Sequence, residues 1–265
     1  MATVAAYRPG PPARPPIVHD NGFLDAYAPR PAGIADRALL LEWRSILELG
    51  EAGQGVPLVP HNHLPDALAA YRHFLYGHGT DRIFSYERYV SDDPSGQTTL
   101  DNALLDFRRG VEDALAGGPP ASPATFHLTG TAIACGANPK KSPILAKLFP
   151  YPRTENWQKA IGAHTIWLSG TVDMIGTGAF DAIITLHAED RYNFNKDNVD
   201  INTHIPDAEN GRFEITGLAQ QYMNYAQLVR QVKWKAPTLA SADVIRLDTE
   251  RNRQPQDNRR ARNRI

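Results

Sequence analysis

The chain's densest run of chemically capable side chains is Thr185-Leu186-His187-Ala188-Glu189-Asp190-Arg191-Tyr192-Asn193-Phe194-Asn195. A histidine beside a carboxylate can serve as a general base, and a nearby guanidinium can hold an anionic substrate or stabilise charge developing in a transition state. The run follows a strand-like stretch in which Phe180, Ala182, Ile184 and Leu186 recur at every second position. Strand parity decides which groups can meet. With Leu186 facing inward, His187 shares the opposite face with Asp181, Ile183 and Thr185, and continued extension adds Glu189 and Arg191 to it. Asp190 and Tyr192 follow Leu186 instead. A chain break near Glu189, which the acids and following asparagines suggest, lets both sets meet at a rim and makes His187, Asp190, Arg191 and Tyr192 a catalytic group. An unbroken strand leaves the segment structural, with Arg191 in an ion pair and Tyr192 packed at the sheet end. His164, at the start of the preceding strand-like stretch, is the fifth catalytic candidate, because pairing of the two strands would bring it to the hairpin end that holds His187.

Other constellations are less complete. Asp197, Asp200, His204, Asp207, Glu209 and Glu214 form an oxygen-rich stretch, yet their spacing lacks the alternating ligand rhythm of a calcium loop, and Asn210-Gly211 reads as a turn that introduces a strand. His61, His63, His73 and His78 lack the cysteine or spaced carboxylate that would complete a metal site, and they read as loop histidines. The single cysteine, Cys135, excludes an internal disulfide. It follows Ala132, Ile133 and Ala134 and is expected to be a buried small side chain, the alternative being a lone nucleophile. No metal is indicated, and the identity of any cofactor is left open.

The elements that position these groups follow from periodicity. Residues 34–49 read as an amphipathic helix with Leu39, Leu40, Trp43, Ile46 and Leu47 at helical spacing, and residues 65–76 as a second helix opened by Pro65. Residues 97–115 read as a third, with Leu100, Ala103, Leu104, Phe107 and Val111 on one side, stopped by Gly117-Gly118-Pro119-Pro120. Trp157 and Ile161, at helical spacing, look like packing residues. Beyond Thr125 the period moves towards two. Residues 165–174 and 179–187 form a hairpin about Gly176-Thr177-Gly178, and residues 212–217 and 228–234 read as two further strands joined by a stretch with Tyr222 and Tyr225. Strands clustered after helices predict an α+β fold, with a helical N-terminal half packed on an antiparallel β-rich C-terminal half. The segments are a proline-rich extended stretch (1–33), a helical region (34–118), a β-rich region (123–236) and a polar, arginine-rich tail (237–265).

With 28 basic against 29 acidic residues and a formal net charge of −1, no global field draws the whole chain to nucleic acid or an anionic membrane. The stretch 7–31, rich in proline, is expected to lie extended on the surface, and the run from Arg251 to Arg264 to be a solvated tail. No apolar run approaches the roughly 18 residues of a membrane span, and the N-terminus lacks a signal-peptide pattern. The expectation is a protein made in the cytoplasm and exported, if at all, by a specialised secretion system.

The order Tyr71-Arg72-His73-Phe74-Leu75-Tyr76-Gly77-His78-Gly79, Glu155-Asn156-Trp157, Asp190-Arg191-Tyr192-Asn193-Phe194-Asn195, Gly211-Arg212-Phe213-Glu214 and Gly217-Leu218-Ala219 resembles bacterial polymorphic-toxin and type VI secretion-effector proteins over residues 60–235. That resemblance implies a secreted toxin of interbacterial competition, with a cognate immunity protein and a secretion-apparatus component as partners, and hydrolase activity on a cell-envelope component. A non-catalytic membrane-damaging effector, or a binding protein such as a secretion adaptor, are the alternatives. A more distant resemblance is to colicin M-type bacteriocins, which attack the lipid-linked peptidoglycan precursor with an Asp, Tyr, Asp, His, Arg cluster. This sequence departs from that order, since His187 precedes Asp190 and Tyr192 and no His-Arg pair follows.

Overall fold

The long hairpin is the frame of the molecule. In the computed structural model, which describes residues 3–116, 124–237 and 242–247, the strands β5 (His164–Gly176) and β6 (Ala179–Tyr192) pair antiparallel with Leu168 opposite Leu186. A third long strand, β7 (Tyr222–Lys235), pairs with β6 over its whole length, from Ala179 opposite Lys235 to Tyr192 opposite Tyr222. Shorter strands complete the sheet: β1 (Tyr7–Pro9), β2 (Arg82–Ile83), β3 (Ala124–Gly130), β4 (Ile133–Cys135) and β8 (Asp243–Arg246). The order is β1-β3-β5-β6-β7-β2, with β4 also on β5 and β8 also on β7; among the described strands only β2 runs parallel to its neighbour.

Strand parity gives the sheet one apolar face. Ile166, Leu168 and Val172 of β5, Ala182, Ile184 and Leu186 of β6, and Leu228 and Val232 of β7 lie on it and are buried. The helix α5 (Pro94–Leu115) lays Leu100, Ala103, Phe107 and Val111 against it, together with Tyr86 and Tyr89 of α4 (Tyr86–Asp92) and Trp157 of α7 (Glu155–Ala160). Asp93 caps α5 through the Ser95 N–H and also accepts from the Arg153 and Thr154 backbones, which ties the loop before α7 to the helix. A second apolar cluster joins α2 (Ile34–Ala52), α3 (Pro65–Tyr76) and α8 (Ala208–Thr216) around Leu47, Phe74, Phe213 and Tyr222. Two short helices, α1 (Phe23–Ala26) and α6 (Pro143–Leu148), complete the described elements.

The α+β organisation expected from the sequence is the one found, and Cys135 is buried with its thiol pushed out of its ordinary range by burial. Three expectations are corrected. Residues 212–216 are helical, within α8, with Gly217 as its left-handed C-cap, rather than a strand, and Asn210-Gly211 lies inside that helix rather than in a turn. The alternation of Arg212, Phe213, Glu214 and Ile215 imitates period two. Tertiary contacts decide otherwise: Phe213 is buried, Asn210 accepts from the Tyr71 hydroxyl at 2.6 Å, and Arg212 pairs with Asp36 at 2.9 Å. The last β7 strand starts at Tyr222, six residues before the expected start, with the tyrosine stretch inside it. The N-terminal segment lies mostly exposed on the surface, with β1 at a sheet edge and its continuation crossing the sheet. Within the segment beyond Pro237, Asp243–Arg246 forms β8. The Gly117 to Pro120 stop and the run from Arg251 lie outside the described residues.

Candidate functional site

The strand does not break at Glu189. Asp190, Arg191 and Tyr192 pair in register with Asn224, Met223 and Tyr222, so the five sequence candidates are divided between the two faces of the sheet. His187 lies on the face away from the helices. Its ring stacks on Trp167 at 3.7 Å with an interplanar angle of 5°. The Gln227 amide donates to Nδ1 at 3.3 Å, which leaves the proton on Nε2 to be donated to the Ser169 hydroxyl oxygen at 2.9 Å. Burial pulls the His187 pKa down to about 4 despite the Glu189 charge. A neutral imidazole that donates to serine does not activate it, so this arrangement positions the sheet rather than attacking a substrate.

His164 lies on the opposite, core face. Only 4% exposed, it takes the Tyr86 hydroxyl at 3.1 Å and donates to the Gly162 carbonyl at 3.1 Å. Burial pulls its pKa down to about 4 as well. The expected approach of His164 to His187 is not formed, because His187 is opposite Trp167 and the two histidines point to different faces. The pairing of strands was enough to bring both to one end, but parity separates them. Arg191, on the His187 face, reaches Gln221 at 3.3 Å, and its buried Nε has no partner among the described residues.

Asp190 and Tyr192 project from the core face, where Tyr192 packs against Phe74 of α3 with ring centroids 6.1 Å apart. Asp190 is pushed well above the usual carboxylate range, first by burial and further by the Asp20 charge, against the hydrogen bond of Asn224. Tyr192 stacks on Tyr222 at 5.1 Å, and burial raises its hydroxyl. Beyond Tyr192 the chain turns back, and its polar groups hold three more carboxyls. The Phe194 N–H donates to Glu214 Oε1 at 3.1 Å, the Asn195 N–H to Asp207 Oδ2 at 3.0 Å, and the Asn193 amide to Asp20 Oδ1 at 2.8 Å.

Glu214 is the most perturbed of these in a way that bears on chemistry. It is 5% exposed, and its buried Oε2 has no partner among the described residues. Burial, with the charges of Asp207 and Asp20 added, pushes its pKa up to about 8. Asp207 is raised too, by burial first and by Asp200 next. Four carboxyls from three separate stretches of chain, Asp20, Asp190, Asp207 and Glu214, thus act on one another. Of these four only Glu214 also lines a cleft of about 540 Å³, together with Gln220, Gln221, Leu24, Pro29 and Pro31. Among the described residues no group of three or more His, Cys, Asp or Glu is arranged to hold a metal ion. A carboxyl kept protonated by burial among other acids is an arrangement that can supply a general acid.

Asp20 was not singled out from the sequence, and Asp207 and Glu214 were weighed there only within an oxygen-rich stretch that does not fit a calcium loop. One signal was available: Asp207 and Glu214 are seven residues apart, two helical turns, which sets them on one face once the stretch is helical.

No family model matches the chain, and no curated protein matches it. Among solved structures the chain is similar to PaeM, a colicin M-like bacteriocin produced by Pseudomonas aeruginosa, at 16% identity and a TM-score of 0.38 over 65% of this chain and 52% of that one. It is also similar to the bacteriocin syringacin M from Pseudomonas syringae pv. tomato, at 15% identity and a TM-score of 0.35 over 64% of this chain and 52% of that one. For pectocin M2 the values are 15% and 0.28, over 72% and 61%. The chain spans about half the length of the first two bacteriocins, covering 52% of each. At these scores no residue role passes from them to this chain.

Proposed function

We propose that this chain is a toxin of interbacterial competition that hydrolyses a cell-envelope component at the carboxyl cluster beyond the end of β6. The observation that carries the reading is Glu214: a buried carboxyl whose Oε2 has no partner among the described residues, on the lining of a cleft, and acted on by the charges of Asp207 and Asp20. In the proposed reaction Asp207, its oxygen stabilised as a carboxylate by the Asn195 N–H, takes a proton from water. The water oxygen bonds to the electrophilic centre of the substrate as the bond to the leaving oxygen breaks. Glu214 gives its proton to that oxygen. Asp190 and Tyr192 shape the inner end of the site, and Arg191 at the rim attracts an anionic substrate group. His187 and His164 keep the two faces of the sheet in register. Such a toxin requires a cognate immunity protein in the producing cell and a secretion-apparatus component for delivery.

Among the described residues no helix is long and apolar enough to cross a membrane. The test is expression directed to the periplasm of a bacterial host, with Asp190→Asn, Glu214→Gln and His187→Ala variants checked for folding by circular dichroism. The wild-type chain is expected to arrest growth or lyse cells, and folded Asp190→Asn and Glu214→Gln to be harmless. Full toxicity of both folded variants, with depolarised membranes, would instead mark a non-catalytic membrane-damaging effector. Wild-type chain harmless in every compartment would leave a binding protein or secretion adaptor.

A further inference from the structure

Glu189 sits on the sheet face away from the helices, 3% exposed, and its carboxylate is satisfied from one direction. Arg14 donates through Nε at 2.8 Å and Nη2 at 2.6 Å, and His19 Nε2 lies at 2.8 Å. Burial pushes this carboxyl up, but those partners outweigh it and hold the group below its ordinary range. His187, Tyr225 directly opposite on β7, and Arg191 two residues on are the other titratable groups of this face beside it. Both anchoring side chains belong to the proline-rich segment that continues from β1. With Pro11, Pro12, Pro15 and Pro16 lacking an N–H, that segment has little backbone bonding to offer. Its backbone N–H groups bond to the rest of the fold at the two ends, Gly10 to the His127 carbonyl and Phe23 to the Phe194 carbonyl, each at 3.0 Å. Between them Asn193 and Gln221 hold Asp20 and Asn21, and the ionic clamp on Glu189 holds the middle of the segment.

The far end of the segment is part of the candidate site. Asp20 accepts from Asn193, and the Asn21 carbonyl accepts from Gln221 at 3.2 Å. Gly22 adopts φ 55° and lies so close to the turn that an added Cβ would stand 2.1 Å from the Phe194 oxygen. The segment then supplies Leu24, Pro29, Arg30 and Pro31 to one wall of the cleft.

We propose that Glu189 is a positioning residue: by clamping Arg14 and His19 it seats the N-terminal segment as a releasable wall of the carboxyl site, bringing Asp20 beside Asp190 and Glu214. This rests on the proposed function, in which that cluster is the catalytic centre. Loss of the clamp loosens the wall from Arg14 to Phe23, moves Asp20 away and lets water reach Glu214, while the sheet and helices stay folded.

The test uses the full chain and two readouts that need no substrate. One is amide hydrogen exchange at Phe23, and the other is the titration of the Glu214 carboxyl followed by carbon-13 NMR. Arg14→Ala and Glu189→Gln are expected to speed Phe23 exchange at least tenfold and to lower the Glu214 titration, whereas Arg14→Lys, which keeps an ion pair, retains most of both. Because Arg14 is largely exposed, its variant remains informative if Glu189→Gln fails to fold. Unchanged Phe23 exchange in Arg14→Ala, or faster exchange with Glu214 titration unmoved, would overturn the proposal. Wild-type Glu214 titrating in the ordinary carboxylate range would instead count against the catalytic reading, with the clamp still judged by Phe23.

Discussion

Replacing Glu214 by glutamine isolates the group on which the site depends. Glutamine keeps the size of the side chain and an oxygen for the Phe194 N–H, and it is neutral at every pH, as the protonated acid is. The unfolded carboxyl releases its proton near 4.5 and the folded one near 8. Between these values the folded state holds a proton that the unfolded state has lost, so stability contributed by this group is complete below 4.5 and is lost as pH rises through 8. At about 1.4 kcal/mol for each tenfold change in proton affinity, the gap caps the loss at about 5 kcal/mol. Relaxation around the ionised carboxylate and sharing of protons with Asp207 reduce the measured effect to roughly half of that cap. The assay is urea denaturation of both proteins at pH 5, 7 and 9. Subtracting one from the other cancels every group except Glu214 and those coupled to it. Glu214→Gln is expected to gain on the wild type by about 2–4 kcal/mol between pH 5 and 9. A difference that stays constant across this range would refute the neutral-acid assignment, and with it the proposed general acid.

The buried histidines act with the opposite sign. His164 and His187, both pulled from 6.5 to about 4 by burial, contribute stability that is complete above 6.5 and lost as pH falls through 4, up to about 3 kcal/mol each. NMR titration of the two rings together with urea midpoints at pH 7 and 4 checks this, and a ring that titrates near 6.5 would show that it is not sealed in. Gly211→Ala places a Cβ 2.2 Å from the Phe23 ring, where α1 meets α8. The expected cost is about 1–3 kcal/mol in thermal or urea unfolding, and an unchanged midpoint would mean that Phe23 is free to move aside.

Much of the frame was legible because it depends on local periodicity. The second helix was expected over residues 65–76 and is Pro65–Tyr76, since proline at its first turn and glycine after its last turn are signals carried by the chain itself. The hairpin of β5 and β6 was legible for a similar reason: alternation of Ile166, Leu168 and Val172 against polar neighbours is a local pattern. Parity even divided His187 from Asp190 correctly. The length of the strand was not local. Glu189 to Tyr192 remain extended because fourteen residues of β7 pair with β6, and that partner begins with a tyrosine stretch whose own alternation is weak. Likewise α8 is a helix because Phe213, Asn210 and Arg212 find partners on α2 and α3, far away in sequence.

The sequence by itself determined the three longest helices, the β5–β6 hairpin with the inward face of each, and the presence of acids around residues 190–214, because these follow from side-chain type and a period of two or 3.6. Only the tertiary structure decided which acids meet. Asp20 arrives on a segment clamped by Glu189, and Glu214 on a helix that local alternation disguised as a strand. Burial then supplied what composition cannot, since a carboxyl is kept neutral by the protein packed around it and not by its neighbours in the chain.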